Sequence, residues 1–162
     1  MPASRWKSSG SARASSAAPV LLNPPPSFAA IAMPVVVDAS AIAAVLFDEP
    51  EAAPILASIK GKLIAPTLLR YELASVATTK MIRHPARLKE IDARYRLLDG
   101  LVIDYAEPDW PSLPALARRW ALSAYDAAYL QLALNLRAAL LTLDARLAAA
   151  WDDATDSAGM KS

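Results

Sequence analysis

Four acidic residues, Asp38, Glu72, Asp126 and Asp144, occupy positions where a carboxylate is costly without a partner. Asp38 and Asp144 follow short apolar runs that are typical of buried strands, whereas Glu72 and Asp126 share helical faces with apolar neighbours at i±3 and i±4 spacing. Carboxylates packed together raise each other's pKa unless a cation neutralises them, and oxygen ligands without His or Cys favour Mg²⁺ or Mn²⁺. Such a site can activate water for attack on a phosphodiester.

Composition excludes several other kinds of site. The chain of 162 residues has no Cys and one His, which excludes a Cys nucleophile and zinc sites built from thiolates or several histidines. That residue, His84, precedes Pro85, so the sequence predicts a helix C-terminus there rather than a catalytic histidine. Gly totals four and no Gly-rich loop follows the first predicted strand, so a Rossmann or P-loop site is not expected.

Each of the three aspartates also has a purely structural interpretation. Ser40 can cap the first helix with Asp38 favouring its dipole, and Asp144 can cap the last helix. Ser123 and Asp126 fit the Ser-x-x-acid capping box. Both interpretations stay open for these residues. Glu72 lies about five residues inside its predicted helix, so capping does not explain it, although an ion pair can.

The elements that must position these residues alternate short strands with helices. Strands are predicted at 34–38, 62–65, 101–104 and 139–142. Helices are predicted at 41–47, from about 49, and at 67–81, 86–99, 112–121, 124–137 and 145–151. This alternation predicts an α/β fold, a three-layer α/β/α sandwich with a short parallel sheet. The carboxyl ends of parallel strands form the ligand crevice, so Asp38 and Asp144 are expected at one rim.

Charge and composition divide the chain. The total is 17 Lys and Arg against 16 Asp and Glu, but residues 1–32 contain three basic and no acidic residues. Residues 33–162 therefore hold 14 basic against 16 acidic residues. The low-complexity, proline-containing segment 1–32 predicts a disordered leader, or a start assigned too early with Met33 as the true start. We expect one domain at 33–152 and a polar tail at 153–162.

No apolar run approaches the roughly 18–20 residues that a membrane-spanning helix needs. We therefore expect a cytoplasmic protein with no membrane partner.

The segments around the four acids resemble the acidic motifs of PIN domains, and most closely those of VapC-type toxins of bacterial toxin–antitoxin pairs. These segments are residues 35–42, 69–74, 122–130 and 141–147. One such motif alone is a weak signal, but four in family order and at family-like spacing are specific. The resemblance covers about residues 34–151.

The resemblance implies an α/β/α sandwich with endoribonuclease activity that depends on Mg²⁺, with Mn²⁺ as a possible substitute. It also implies an RNA substrate, frequent homodimers and a cognate VapB-like antitoxin protein. Carried over residue by residue, Asp38 and Asp126 match the principal metal ligands. Glu72 then holds or orients water, and Asp144 completes the site.

Ser40 and Thr142 match the polar residues beside the first and last acids, where the resemblance implies supporting hydrogen bonds. Two alternatives remain at the level of sequence: a PIN-fold nuclease of RNA processing without an antitoxin, and a binding module for nucleic acid or protein without turnover. The sequence does not define the RNA target, the cleaved position, the general base or the number of metal ions.

Overall fold

The computed structural model describes residues 33–157 and 159. The predicted leader at 1–32 and positions 158 and 160–162 of the predicted tail lie outside the described residues. The strands of the described part are β1 (Val35–Val37), β2 (Leu63–Ala65), β3 (Ile103–Tyr105) and β4 (Ala139–Leu141). They form one parallel sheet in the order β3-β2-β1-β4, which confirms the predicted α/β fold with a short parallel sheet.

The strands that follow β1 in the chain lie on both sides of it in the sheet. The chain passes from β1 to β2 and β3 on one side, then returns to β4 on the other side, where Val36 of β1 lies opposite Leu140. In open parallel sheets, ligands bind in the crevice at the carboxyl ends of the strands where this reversal occurs. Asp38 directly follows β1, and Asp144 follows β4 after two intervening residues, so both lie at that crevice.

The helices of residues 33–157 connect and cover the strands. They are α1 (Ala39–Phe47), α2 (Ala52–Ser58), α3 (Leu68–Arg83), α4 (Leu88–Arg96), α5 (Leu113–Trp120), α6 (Ala124–Leu136) and α7 (Ala145–Ser157). Short 3₁₀ turns lie at Pro85–Arg87, Leu97–Gly100 and Trp110–Ser112. No helix in this part of the chain is both long and apolar enough to cross a membrane.

Two helical segments differ from their predicted extents. The predicted helix at 86–99 is α4 with a 3₁₀ turn at each end. The sequence predicts that the last helix ends at residue 151, but α7 continues to Ser157. Ala154 and Thr155 are buried there, so burial of an inward face extends the helix through residues that composition assigned to a polar tail.

The core lies on both faces of the sheet because the side chains of a strand alternate between its faces. Val35 and Val37 pack into a cluster with residues of α1, α3 and α4. Val36 points the other way and packs with residues of α6 and α7. Helices therefore cover both faces, which is the predicted three-layer arrangement.

Leu69 of α3 has no exposed surface and belongs to the first of these clusters. Leu69→Ala is expected to lower the free energy of unfolding by about 2–5 kcal/mol, because it removes apolar burial and leaves a cavity. The matched variant Leu56→Ala, at a position that is 56% exposed on α2, is expected to change it by only about 0.5 kcal/mol. Urea unfolding measures both, and equal losses would contradict the placement of Leu69.

Candidate active site at the carboxyl ends of the strands

Asp38 lies at the junction of β1 and α1 and is 6% exposed. Its extended backbone, with φ −87° and ψ 159°, is typical of a helix N-cap. One carboxylate oxygen, Oδ2, accepts hydrogen bonds from Ser40 N at 3.3 Å, Ser40 Oγ at 2.5 Å and Thr142 Oγ1 at 2.9 Å. The cap of α1 is therefore Asp38 itself, and not Ser40 as in the purely structural interpretation of the sequence.

The hydroxyls of Ser40 and Thr142 connect the ends of β1 and β4. Besides donating to Asp38, each accepts a backbone N–H of the segment after β4: Leu143 N donates to Ser40 Oγ at 2.8 Å, and Asp144 N donates to Thr142 Oγ1 at 3.0 Å. A hydroxyl that both donates and accepts has its rotation fixed by its two partners. The orientation of the Asp38 carboxylate thus depends on both strands.

Asp126 and Asp144 both lie at helix starts, Asp144 as a cap of α7 and Asp126 as a partner of Ser123, the N-cap of α6. Ser123 Oγ accepts from Asp126 N at 3.0 Å as the N-cap of α6 and donates to Asp126 Oδ2 at 2.8 Å, so the carboxylate contacts the cap hydroxyl rather than the Ser123 backbone N–H of a full capping box. Asp144 Oδ1 accepts from the backbone N–H groups of Arg146 and Leu147, at 2.8 and 2.9 Å, at the start of α7. Asp126 is half-buried and Asp144 is exposed.

Glu72 lies inside α3, half-buried, and its partner is the phenol of Tyr129 on α6. Tyr129 OH donates to Glu72 Oε2 at 2.5 Å, and Tyr129 itself has no exposed surface. The hydrogen bond joins α3 to α6 across the carboxyl edge of the sheet. Glu72 is thus neither a helix cap nor a member of an ion pair within the described residues.

Burial raises the pKa of Glu72 above its ordinary value of 4.5, and the negative charges of Asp38 and Asp126 raise it further. The hydrogen bond from Tyr129 opposes this rise because it favours the carboxylate. Burial, the bond to Glu72 and the nearby charges of Asp38 and Asp126 also raise the pKa of Tyr129, which stays protonated as a donor. The structure therefore brings three predicted acids, Asp38, Glu72 and Asp126, into one electrostatic environment.

The same acids do not form a tight cage. Within residues 33–157 and 159, no three Asp, Glu, His or Cys side chains are arranged closely enough to hold a metal ion. Asp144 shares the rim with Asp38 through Thr142, but its charge is not among those that raise the pKa of Glu72. Like charges repel in the absence of a cation, and each of the four carboxylates has hydrogen-bond donors of its own that hold it in place.

The chemistry of the donors nevertheless fits a hard divalent cation. Each of the four carboxylates receives its hydrogen bonds from described residues through a single oxygen, and the second oxygen receives none from them. No side-chain oxygen in the described part of the chain is both buried and without a partner, so the second oxygens of the half-buried and buried acids reach solvent. Oxygen donors of this kind are the ligands that Mg²⁺ and Mn²⁺ prefer.

Tyr129 is the site residue that sequence reasoning did not assign. It lies three residues after Asp126, among the neighbours that share a helical face with this acid. The sequence signal that could have identified it is a phenol within a buried stripe that also carries an acid, since a buried hydroxyl needs a partner. Two tryptophans, Trp120 and Trp151, are partly buried and pack against the core cluster that includes residues of α6 and α7.

The fold and site together define a class: a parallel α/β/α sandwich with acidic residues at the reversal point of its sheet. The PIN domain model matches residues 35–151, and the chain belongs to the PIN domain family. PIN domains are generally nucleases, so family membership suggests a nuclease. The match spans all four acids.

A solved structure of similar fold is the crystal structure of PAE2754 from Pyrobaculum aerophilum. The TM-score is 0.59 with 18% sequence identity, over 80% of this chain and 98% of that one. At this identity the similarity concerns the fold. No curated protein sequence matches the chain.

Glu72→Gln is expected to make the protein more stable at neutral pH when a chelator is present. A carboxyl whose pKa is raised on folding contributes its stability below its unfolded pKa and loses it as pH rises through the folded pKa. At pH 7 the ionised Glu72 therefore destabilises the folded state, and a neutral amide removes that effect while still accepting from Tyr129. Thermal unfolding should show the gain at pH 7 and its loss as pH falls below about 4.5.

The matched control is Glu51→Gln, because Glu51 is exposed at the start of α2 and its side chain makes no capping hydrogen bond. It should show no stability gain at pH 7. An equal gain for both variants would mean that overall charge, rather than the surroundings of Glu72, is responsible.

Proposed function

We propose that the protein is a Mg²⁺-dependent endoribonuclease, with Mn²⁺ as a possible substitute, and the toxin of a type II toxin–antitoxin pair. The observation that carries this proposal is the common electrostatic environment of Asp38, Glu72 and Asp126 at the ligand crevice of a PIN fold. Asp38 and Asp126 are the proposed principal metal ligands, with Glu72 and Asp144 completing the set. A divalent ion held there supplies positive charge for a phosphodiester and favours ionisation of water.

The side chains of this chain have distinct tasks in the proposed reaction. Ser40 and Thr142 donate hydrogen bonds to Oδ2 of Asp38 and so fix the orientation of the carboxylate. The position of its other oxygen is fixed with it. Tyr129 holds Oε2 of Glu72 in the same way. The second oxygen of Glu72 receives no hydrogen bond from the described residues and is therefore available to hold or orient the attacking water.

A second candidate function is a nucleic-acid or protein-binding module without turnover. The observation that favours it is the spacing of the acids: in the described part of the chain, no three of them lie close enough together to hold one metal ion. Cleavage assays separate the two candidates, because a binding module retains RNA without shortening it.

The nuclease proposal predicts that the isolated protein cleaves RNA with Mg²⁺ and stops when a chelator is added. Thr142→Val should lower the rate about 10–100-fold, the usual effect of losing a residue that orients a metal ligand. Asp38→Asn and Asp126→Asn should lower it further, because each removes a proposed ligand charge. Gel analysis of a labelled RNA measures the rates.

Asp153→Asn is the control for these variants, because Asp153 is an exposed acid on α7 away from the strand ends. It should cleave at the wild-type rate. Unchanged cleavage by a folded Asp38→Asn protein would disprove the site assignment, and no cleavage by the wild type in Mg²⁺ or Mn²⁺ would favour the binding module.

The toxin role has its own test. Expression of the chain should arrest bacterial growth, and co-expression of a small protein encoded next to it should restore growth and co-purify with the chain as a VapB-like antitoxin. Sedimentation of the chain alone should show the proposed homodimer. Active nuclease with no growth arrest and no such neighbour would instead favour a PIN-fold enzyme of RNA processing.

A further inference from the structure

A small pocket lies away from the acids, where the last turns of α1 and α3 meet α4. Its volume is about 70 Å³, and six residues line it: Phe47, Lys80, His84, Arg87, Ile91 and Arg94. Helices α1 and α3 both begin at the acidic crevice and end at this pocket, and α4 packs against both. Lys80 follows Glu72 by eight residues on α3, about 12 Å along the helix axis. The pocket is therefore separate from the site described above.

The chain segment that forms most of this pocket is strongly basic. Residues 80–96 contain six of the 14 Lys and Arg residues of the stretch 33–162, but only two of its 16 acids. The rest of that stretch holds eight basic and 14 acidic residues. The charged residues that line the pocket are all basic. Positive charge is thus concentrated at this end of α3, whereas the acids of the candidate active site lie at the other end.

Two arginines of the pocket are held in place by acids but keep unused donors. Arg87 donates to both oxygens of Glu90 through Nε and Nη2, at 2.9 and 2.8 Å. Arg94 donates to Glu90 through Nε at 3.3 Å, and its Nη2 lies 3.6 Å from Asp48 Oδ2. Within the described residues, Nη1 of either arginine has no acceptor. Each guanidinium therefore retains N–H groups for a ligand.

Lys80 and His84 add further nitrogen atoms to the lining. Lys80 Nζ donates to Glu49 Oε1 at 2.7 Å and lies 5.1 Å from the ring centre of Phe47. An ammonium group has three N–H donors, so this contact does not exhaust it. The imidazole of His84 is exposed and has no hydrogen-bond partner in the described part of the chain. The acid that holds Lys80 is not among the lining residues, so the ion pair orients the cation without filling the pocket.

We infer that this basic pocket binds a phosphate group, either as a free anion or as part of an RNA strand. Its volume of about 70 Å³ accommodates a compact oxyanion but is far below the ~300–1,000 Å³ of pockets for drug-sized ligands. Arginine forks and lysine ammonium groups are both typical phosphate ligands. The inference goes beyond the proposed function and does not depend on nuclease activity.

The helix dipoles at the pocket sharpen what the side chains must do. The carboxyl ends of α1 and α3 carry partial negative charge, which disfavours an anion. Affinity for phosphate must therefore come from the basic side chains, and the loss of one of them should have a large effect.

Isothermal titration calorimetry with inorganic phosphate tests the pocket. A chelator is present throughout, so that no divalent ion can bridge phosphate to the carboxylates of the crevice, and chloride keeps the ionic strength constant. The wild-type protein should bind one phosphate per chain. Arg87→Gln and Arg94→Gln should each weaken binding about 10–100-fold, the usual effect of losing a hydrogen bond between charged groups.

Arg96→Gln is the matched control. Arg96 lies on α4 and forms an i,i+4 ion pair with Asp92, as Arg94 does with Glu90, but it does not line the pocket. The variant changes the net charge by the same amount and should leave the affinity for phosphate nearly unchanged, because salt screens an exposed charge outside the pocket. If circular dichroism shows that Arg94→Gln does not fold, Lys80→Gln replaces it.

Two short RNA strands, one with a 5′-phosphate and one with a 5′-hydroxyl, separate the sources of the phosphate group in the same buffer. Stronger, Arg94-dependent binding of the phosphorylated strand would support a site for a terminal phosphate. Equal, Arg94-dependent binding of both strands would support a site for the RNA backbone. Binding of inorganic phosphate alone would support a site for the free anion.

Three results would overturn the inference. The first is no binding of phosphate, in any of these forms, by the wild-type protein. The second is equal affinity of Arg87→Gln, Arg94→Gln and Arg96→Gln for phosphate, which would mean that the pocket does not hold it. The third is binding of polyglutamate without binding of phosphate, which would assign the basic residues to an acidic protein partner.

Discussion

The carboxylate of Asp38 is the constraint on which the rest of the site depends. A charge that is 6% exposed is costly unless donors replace the water that it loses. Its donors are one backbone N–H and two hydroxyls, from Ser40 on the β1 side and Thr142 on the β4 side. The start of α1 adds the favourable end of a helix dipole. Satisfying one buried charge therefore fixes how the two strands meet at the crevice.

A second hydrogen bond, from Tyr129 OH to Glu72 Oε2, joins the helices α6 and α3 beside the crevice. The phenol of Tyr129 stays protonated because burial and the neighbouring carboxylates raise its pKa, so it remains a donor. Glu72 needs such a donor, since burial and the charges of Asp38 and Asp126 disfavour its carboxylate. The hydrogen bond from Tyr129 joins α3 to α6. It also stabilises the Glu72 carboxylate against repulsion by the negative charges of Asp38 and Asp126. A cation in the crevice would relieve that repulsion.

Most of the fold could be predicted from local pattern, because each short strand is a compact apolar run between helices. Val35 to Val37 read as a buried strand, and parallel pairing follows from the helical connections. The end of α7 could not be predicted, since Asp152 and Asp153 suggest a polar surface while Ala154 and Thr155 turn inward. That burial depends on where the helix lies against its neighbours, which local composition does not encode.

The site was predictable as a set of residues but not as a set of contacts. Spacing placed acids on strand ends and helix faces, but the partnership of Glu72 with Tyr129 joins residues 57 positions apart and exists only after α3 and α6 pack. Sequence also left capping and catalysis as competing explanations for the aspartates. The structure shows why they need not compete: Asp144 caps α7 through one oxygen, and Asp126 contacts the hydroxyl of Ser123, the N-cap of α6, through one oxygen. A carboxylate has two oxygens, so the cap that fixes its position leaves the other oxygen available for a ligand.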